Sequence, residues 1–180
     1  MTADEDILDR AGAALLALAG ATPWREITLR AIAEKAGISL SDLYRLARSR
    51  LEVLAHLSRR FDQAALAPPA GDGAAMHDRL FDAVMARVEA MEPHRAALTA
   101  IIRAQGPLAL APHLPRTARA ILEGAALTAT PLRHAAMTAV WARIVQVWRD
   151  DEGALNRTMA EIDMRLKQMA RRLARLGAGF

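Results

Sequence analysis

The sequence predicts an all-α protein: a small N-terminal three-helix unit followed by a larger helical bundle. Three observations carry that expectation. Ala and Leu, both strong helix formers, supply much of the 53% hydrophobic content. Aromatic residues are only 4% of the chain and β-branched runs are absent, which leaves little to build a sheet. Apolar residues also recur at helical spacing between short stretches rich in Gly and Pro.

A first helix is predicted over 3–19, opened by a capping box of Thr2 and Glu5. Ile7, Ala11, Ala14, Leu15 and Leu18 share its inner face. A turn over 20–25 follows. Its Trp24 is expected to plug the small core between the first helix and the next two; direct contact with DNA is the other reading of an indole there. Thr28 caps a short second helix, with Ile27 and Ile32 placed as a hydrophobic staple. Gly37 stops it, because glycine enters the left-handed region without a clash. Ser39, paired with Asp42, restarts the chain as a third helix over 40–47, and Ser49 with Glu52 opens a fourth over 50–66. That fourth helix carries Leu51, Leu54, Ala55, Leu57, Phe61 and Ala65. A linker, APPAGDGAA, occupies 67–75.

Beyond the linker, 76–91 presents Leu80, Val84, Val88 and Met91 on one face. Pro93 starts a helix with Leu98, Ile101 and Ile102, and Gly106-Pro107 breaks it. Another short helix is expected over 116–127. Thr130-Pro131 then sets an N-cap before Pro at the first helical position. The helix it opens has two apolar stripes: Met137, Trp141, Ile144 and Trp148 on one, and Ala136, Val140 and Val147, interrupted by Arg143, on the other. Two apolar faces need two partners, so one stripe is expected to face a second subunit. The last helix repeats Leu155, Met159, Ile162, Leu166, Met169, Leu173 and Leu176 in steps of four and three. That spacing makes a seam suited to bundle packing and a four-helix dimer interface. The expected interface residues are Ala136, Val140, Arg143, Val147, Met159, Ile162, Leu166, Met169 and Leu173. The domains expected are 1–50 and 51–180.

Two short helices joined by a tight Gly turn form a helix-turn-helix, whose second helix enters the major groove of DNA. Thr28, Leu29, Ile32, Ala33, Ala36, Gly37, Ile38, Ser39, Leu43, Tyr44, Ser49, Arg50 and Leu54 together resemble the N-terminal domain of TetR-type transcriptional regulators. The resemblance covers about the first third of the chain. It implies a TetR-like all-helical homodimer with N-terminal DNA-binding domains and C-terminal domains that pair and enclose a small-molecule pocket. It further implies a ligand-responsive repressor on a pseudo-palindromic operator. The chain departs from that family at Ser41-Asp42, where Gly-Thr is usual, and at Leu46-Ala47, where His-Phe is usual.

The DNA-binding set expected from this reading is Thr28, Ser39, Leu40, Ser41, Tyr44, Arg45, Arg48 and Arg50. Arg45 suits bidentate reading of guanine. Tyr44 can donate to phosphate, and Arg50 stands where the family has a phosphate-binding Lys. Solvated surface charge is the plainer reading of each Arg. Asp42 is expected to act as a cap that also repels phosphate; accepting from a cytosine amino group is its other role. Residues 1–66 hold nine basic and nine acidic side chains, yet 30–60 hold seven basic to three acidic. The net charge of +4 therefore permits DNA binding through a local surplus.

In the C-terminal part, Met85, Met91, Ile101, Ile102, Leu122, Met137, Trp141, Ile144 and Trp148 are candidates for an apolar ligand pocket. Core packing accounts for the same residues. A second resemblance lies in 148–151 and 158–166, which are similar to the end of the lipid-binding accessory proteins of coenzyme Q biosynthesis. Those share the TetR-like fold without binding DNA. They imply an alternative: a lipid-binding protein of isoprenoid or quinone metabolism. Arg165, Lys167, Arg171, Arg172 and Arg175 on the last helix fit either a membrane-surface face or cations at a helix C-terminus.

No cysteine is present, so disulfides and thiolate zinc sites are excluded. The five histidines are too scattered for a metal pair, and no catalytic constellation or Gly-rich phosphate loop is spaced correctly, so neither metal, cofactor nor enzyme activity is expected. No apolar run reaches the ~20 residues of a membrane span. The start, MTADEDILDR, is too acidic for a targeting peptide, so a cytoplasmic protein without stable membrane insertion is expected.

Overall fold

A computed structural model describes residues 2–67, 75–106, 112–151 and 155–178. All regular structure among the described residues is helical: α1 (Ala3–Ala19), α2 (Leu29–Ala36), α3 (Leu40–Leu46), α4 (Arg50–Ala65), α5 (Met76–Met91), α6 (Arg95–Gln105), α7 (Leu114–Gly124), α8 (Pro131–Arg149) and α9 (Asn156–Arg175). Single 3-10 turns stand at Trp24–Glu26 and Glu92–His94. The chain divides into two compact units, residues 1–60 with 94–110 and residues 61–93 with 111–180. A boundary at residue 50 is thus not where the packing divides. Most of α4 belongs to the first unit, as does α6, which packs on α1 and on the 3-10 turn after it.

The first unit forms where local signals said it would. The Glu5 N–H donates to Thr2 Oγ1 and the Thr2 N–H donates to Glu5 Oε2 at 2.7 Å, closing the capping box of α1. Thr28 Oγ1 accepts from the Ala31 N–H at 3.1 Å. Gly37 is left-handed (φ 64°, ψ 37°), and the Ile38 N–H turns back to the Ala33 carbonyl at 3.0 Å. That bond satisfies a carbonyl which the end of α2 would otherwise leave open. Leu15, Ile27, Ile32, Leu43 and Val53 are sealed in the core. His56 Nε2 and Asp9 Oδ1, 2.7 Å apart, tie α4 to α1.

Two expectations for this core change. Trp24 is only half-buried, and Ile27, 1% exposed, fills the position instead. Leu51 is 48% exposed. With α4 starting at Arg50, the inward stripe falls on Val53, Leu54, Leu57 and Phe61, and Leu51 lies beside it. The predicted linker, apart from Ala67 and Ala75, and Pro107 lie outside the described residues.

In the second unit α7 begins at Leu114 and ends at Gly124. A Cβ built on Gly124 would lie 1.8 Å from the Ala65 carbonyl oxygen, so α7 and the end of α4 meet backbone to backbone. Thr130 Oγ1 caps α8 at the Arg133 N–H, with Pro131 in its first turn. Asp151 Oδ2 accepts from both the N–H (2.9 Å) and the hydroxyl (2.7 Å) of Thr158, binding the start of α9. α9 packs on α8 and α5. Its regular seam is used there: Ile162, Leu166, Met169 and Leu173 are at most 3% exposed. A partner subunit cannot bury side chains that their own unit already covers. Ile162 and Leu166, expected at the interface, are covered within their own unit.

Candidate nucleic-acid interface

α3 is a short helix held from behind. Leu43 and Ala47, both at most 1% exposed, anchor its inner side. Ser41, Asp42, Tyr44 and Arg45 face outward, with Arg48 just beyond its end. Tyr44 is 56% exposed, unusual for an aromatic ring with no packing role. Arg10 steadies the turn before α3: its Nη2 donates to the carbonyls of Ala36 (2.7 Å) and Gly37 (2.8 Å). Nothing local in the sequence points to that contact, because the two partners are 26 and 27 residues away.

The predicted DNA-binding residues divide into open and occupied groups. Thr28, Ser41, Tyr44 and Arg48 are exposed, and Thr28 keeps a hydroxyl proton to donate. Leu40 is half-buried. The Ser39 hydroxyl accepts from the Asp42 N–H at 3.0 Å and donates to Asp42 Oδ2 at 2.6 Å, so its one proton, the group a phosphate would need, is used inside the cap. Arg45 forks onto Asp4 of α1, Nη2 to Oδ1 at 2.8 Å and Nη1 to Oδ2 at 3.3 Å. The Arg45 hydrogen bond holds the Asp4 carboxyl below its usual range, and Asp4 in turn raises the guanidinium.

Arg50 departs most from its expected phosphate role. Its Nη1 donates to the carbonyls of Ile27 (2.6 Å) and Trp24 (2.7 Å), and its guanidinium stands 4.6 Å from the Trp24 ring centroid. The side chain is turned onto the 3-10 turn, whose carbonyls offer bonds that no helix supplies. Two exposed cations of α2, Arg30 and Lys35, were missed by reasoning centred on α3. Their signal was available: they are the charged residues on the outer side of a helix whose inner side is Ile32 and Ala33.

No family model and no curated protein sequence matches the chain. Solved structures do. A TetR transcriptional regulator from Nitrosomonas europaea aligns with TM-score 0.72 at 20% identity, covering 91% of this chain and 98% of that one. A TetR transcriptional regulator from Rhodococcus sp. RHA1 aligns with TM-score 0.67 at 17% identity, covering 92% and 96%. A dihydroxyacetone kinase operon activator, DhaS, aligns with TM-score 0.60 at 8% identity, covering 93% and 96%. The chain has the TetR fold. At these identities the likeness is one of fold.

In this TetR fold the expected apolar pocket residues are divided between the two units. Ile101 and Ile102 belong to the first unit, on α6; the other seven belong to the second. Leu122, Met137 and Ile144 are fully buried, and Trp141 and Trp148 nearly so. Two of the aromatic rings are also bound to polar groups. Trp148 Nε1 donates to Glu92 Oε2 at 2.8 Å. The Arg87 guanidinium lies 4.6 Å from the Trp141 ring centroid. Arg87, 4% exposed, donates through Nε to Asp62 Oδ1 at 2.7 Å, and the Thr117 hydroxyl donates to the same oxygen at 2.8 Å. Periodicity could not reveal this buried charge pair, because both residues read as polar interruptions of an apolar stripe.

Between α8 and α9 the TetR fold leaves a mostly apolar groove of about 250 Å³. Leu132, Ala136, Ala139, Val140, Met169, Leu173 and Leu176 line it, with Arg143, Arg165 and Arg172 among its walls. Five of the nine expected interface residues lie on it: Ala136, Val140, Arg143, Met169 and Leu173. Val147 is half-buried elsewhere on α8, and Met159 is 37% exposed. Among the described residues no cluster of acidic or His side chains could hold a metal, and no helix is long and apolar enough to cross a membrane.

Proposed function

We propose that the chain is a TetR-type DNA-binding transcriptional regulator that acts as a homodimer on a pseudo-palindromic operator. The observation that carries this reading is α3: sealed on Leu43 and Ala47, and exposed on Ser41, Tyr44 and the Asp4-paired Arg45, with Arg48 exposed just beyond its end. Side chains of these types reach base edges and phosphates when a helix enters the major groove. Two copies related by a two-fold axis would read two half-sites. The α8–α9 groove supports pairing, since its apolar walls fit a second copy of the same face. A small apolar ligand bound in the second unit would shift the balance between two states of different DNA affinity; repression relieved by such a ligand is the expected mode. The protein would act in the cytoplasm.

Selection of sites from a random DNA pool tests this. An enriched inverted repeat, bound with affinity that falls steeply as salt rises, supports it. A flat pool ends it.

A second reading has its own support. Asp42 stands exposed on α3, Arg45 is neutralised by Asp4, and Arg50 is turned onto backbone carbonyls. A TetR-fold protein that binds an apolar lipid without DNA would tolerate all three. Co-purified lipid together with a flat pool would favour it.

A further inference from the structure

We propose that Asp4 is an internal competitor of DNA for Arg45, and so limits the affinity of α3 for any duplex. The inference rests on the DNA-binding reading of α3 and adds a residue to it. Arg45 is the cation placed within α3 itself, and its guanidinium already holds two carboxylate oxygens, at 2.8 and 3.3 Å. Guanine and phosphate both engage Arg through the same pair of parallel N–H bonds. DNA can therefore take Arg45 through this Nη1–Nη2 edge only by displacing Asp4. The exchange swaps one pair of charge-assisted bonds for another and leaves a carboxylate facing the duplex.

Asp4 is placed to do this by local structure. It stands in the first turn of α1, which the Thr2–Glu5 box fixes. That turn favours an anion through the helix dipole, and Asp6 serves the same end without touching Arg45. Arg45 lies 41 residues further on, at the last turn of α3. Both side chains are about half exposed, so the pair is accessible to an incoming strand and weak enough to be displaced. Asp42, three residues earlier on the same helix, also acts on the Arg45 charge, and it remains when Asp4 is replaced.

The test is a double-mutant cycle on the full-length protein, using the selected operator and a random duplex as probes. Asp4→Asn should raise affinity for both by about two- to five-fold, the scale of releasing one exposed ion pair. It should also steepen the dependence of log affinity on log salt by about 0.9, as one more cation displaces counterions. In an Arg45→Ala background the same substitution should gain clearly less, because only the bare repulsion between Asp4 and phosphate is left to remove. Thermal melting of each variant checks that α1 stays folded. A gain from Asp4→Asn that is as large without Arg45 as with it, or no gain at all, overturns the inference and leaves the DNA-binding reading standing. If neither the parent chain nor Asp4→Asn binds any duplex, both fall.

Discussion

The Arg50 guanidinium stands 4.6 Å from the centroid of the Trp24 ring while donating to the Trp24 carbonyl at 2.7 Å. One side chain at the start of α4 thereby fixes the 3-10 turn that feeds α2. One nitrogen, Nη1, serves the Trp24 and Ile27 carbonyls together while the planar guanidinium lies against the ring; an ammonium is not equivalent in shape or in stacking.

Arg50→Ala should therefore lower stability by about 2 kcal/mol, from lost charge-assisted bonds and the stacked ring. Arg50→Lys should recover less than half of that. Urea midpoints decide: a Lys variant as stable as the parent means that charge, not the clamp, is what matters at this position.

Gly124→Ala should destabilise the second unit by more than about 3 kcal/mol, since relieving the overlap must move backbone. The new Cβ would fall 1.8 Å from the Ala65 oxygen. Calorimetry of the variant gives the cost directly. An unchanged melting temperature would show that the two helices can part freely.

Replacing one member of the buried pair should be far worse than replacing both. Asp62→Ala removes the carboxylate that the buried Arg87 Nε donates to, at a cost of about 3–5 kcal/mol. Arg87→Met combined with Asp62→Leu should come back to within about 1 kcal/mol of the parent, because well-packed apolar groups replace such pairs at little cost. Chemical denaturation of the two variants against the parent measures the difference.

Glu161 makes part of the acid sensitivity. Burial pushes its carboxyl up, but the hydrogen bonds from Arg165 (2.7 Å) and Arg143 (3.0 Å) outweigh that and leave it below the usual 4.5. A carboxyl lowered in the folded state contributes stability that is complete above its unfolded value. That contribution drains away as pH falls through 4.5 and on through the lowered folded value. Glu161→Gln should flatten the stability profile in that window and lower stability at pH 7. Melting temperatures from pH 7 to 3 test both statements.

Ala136→Arg puts a charged, bulky side chain into the α8–α9 groove. On the homodimer reading it should convert dimer to monomer by sedimentation while the helical signal persists. A mass that does not change would move the contact elsewhere.

Local physics explains how much of this protein the sequence by itself determined. Helix starts at Thr2, Thr28, Ser39 and Thr130 depend on a side chain and an N–H three residues away. The left-handed turn at Gly37 depends on one missing Cβ. The all-α class and the helix-turn-helix follow from such signals together with the 3.6-residue period. Which distant partners four of the arginines take was decided only by the tertiary structure. Arg10, Arg45, Arg50 and Arg87 find their partners 23 to 41 residues away, across helices whose packing brings the groups together. The same holds for the seam of α9: its period declares an apolar face, but a period has no direction. Only the packing against α5 and α8 shows that Ile162 and Leu166 are covered within their own subunit.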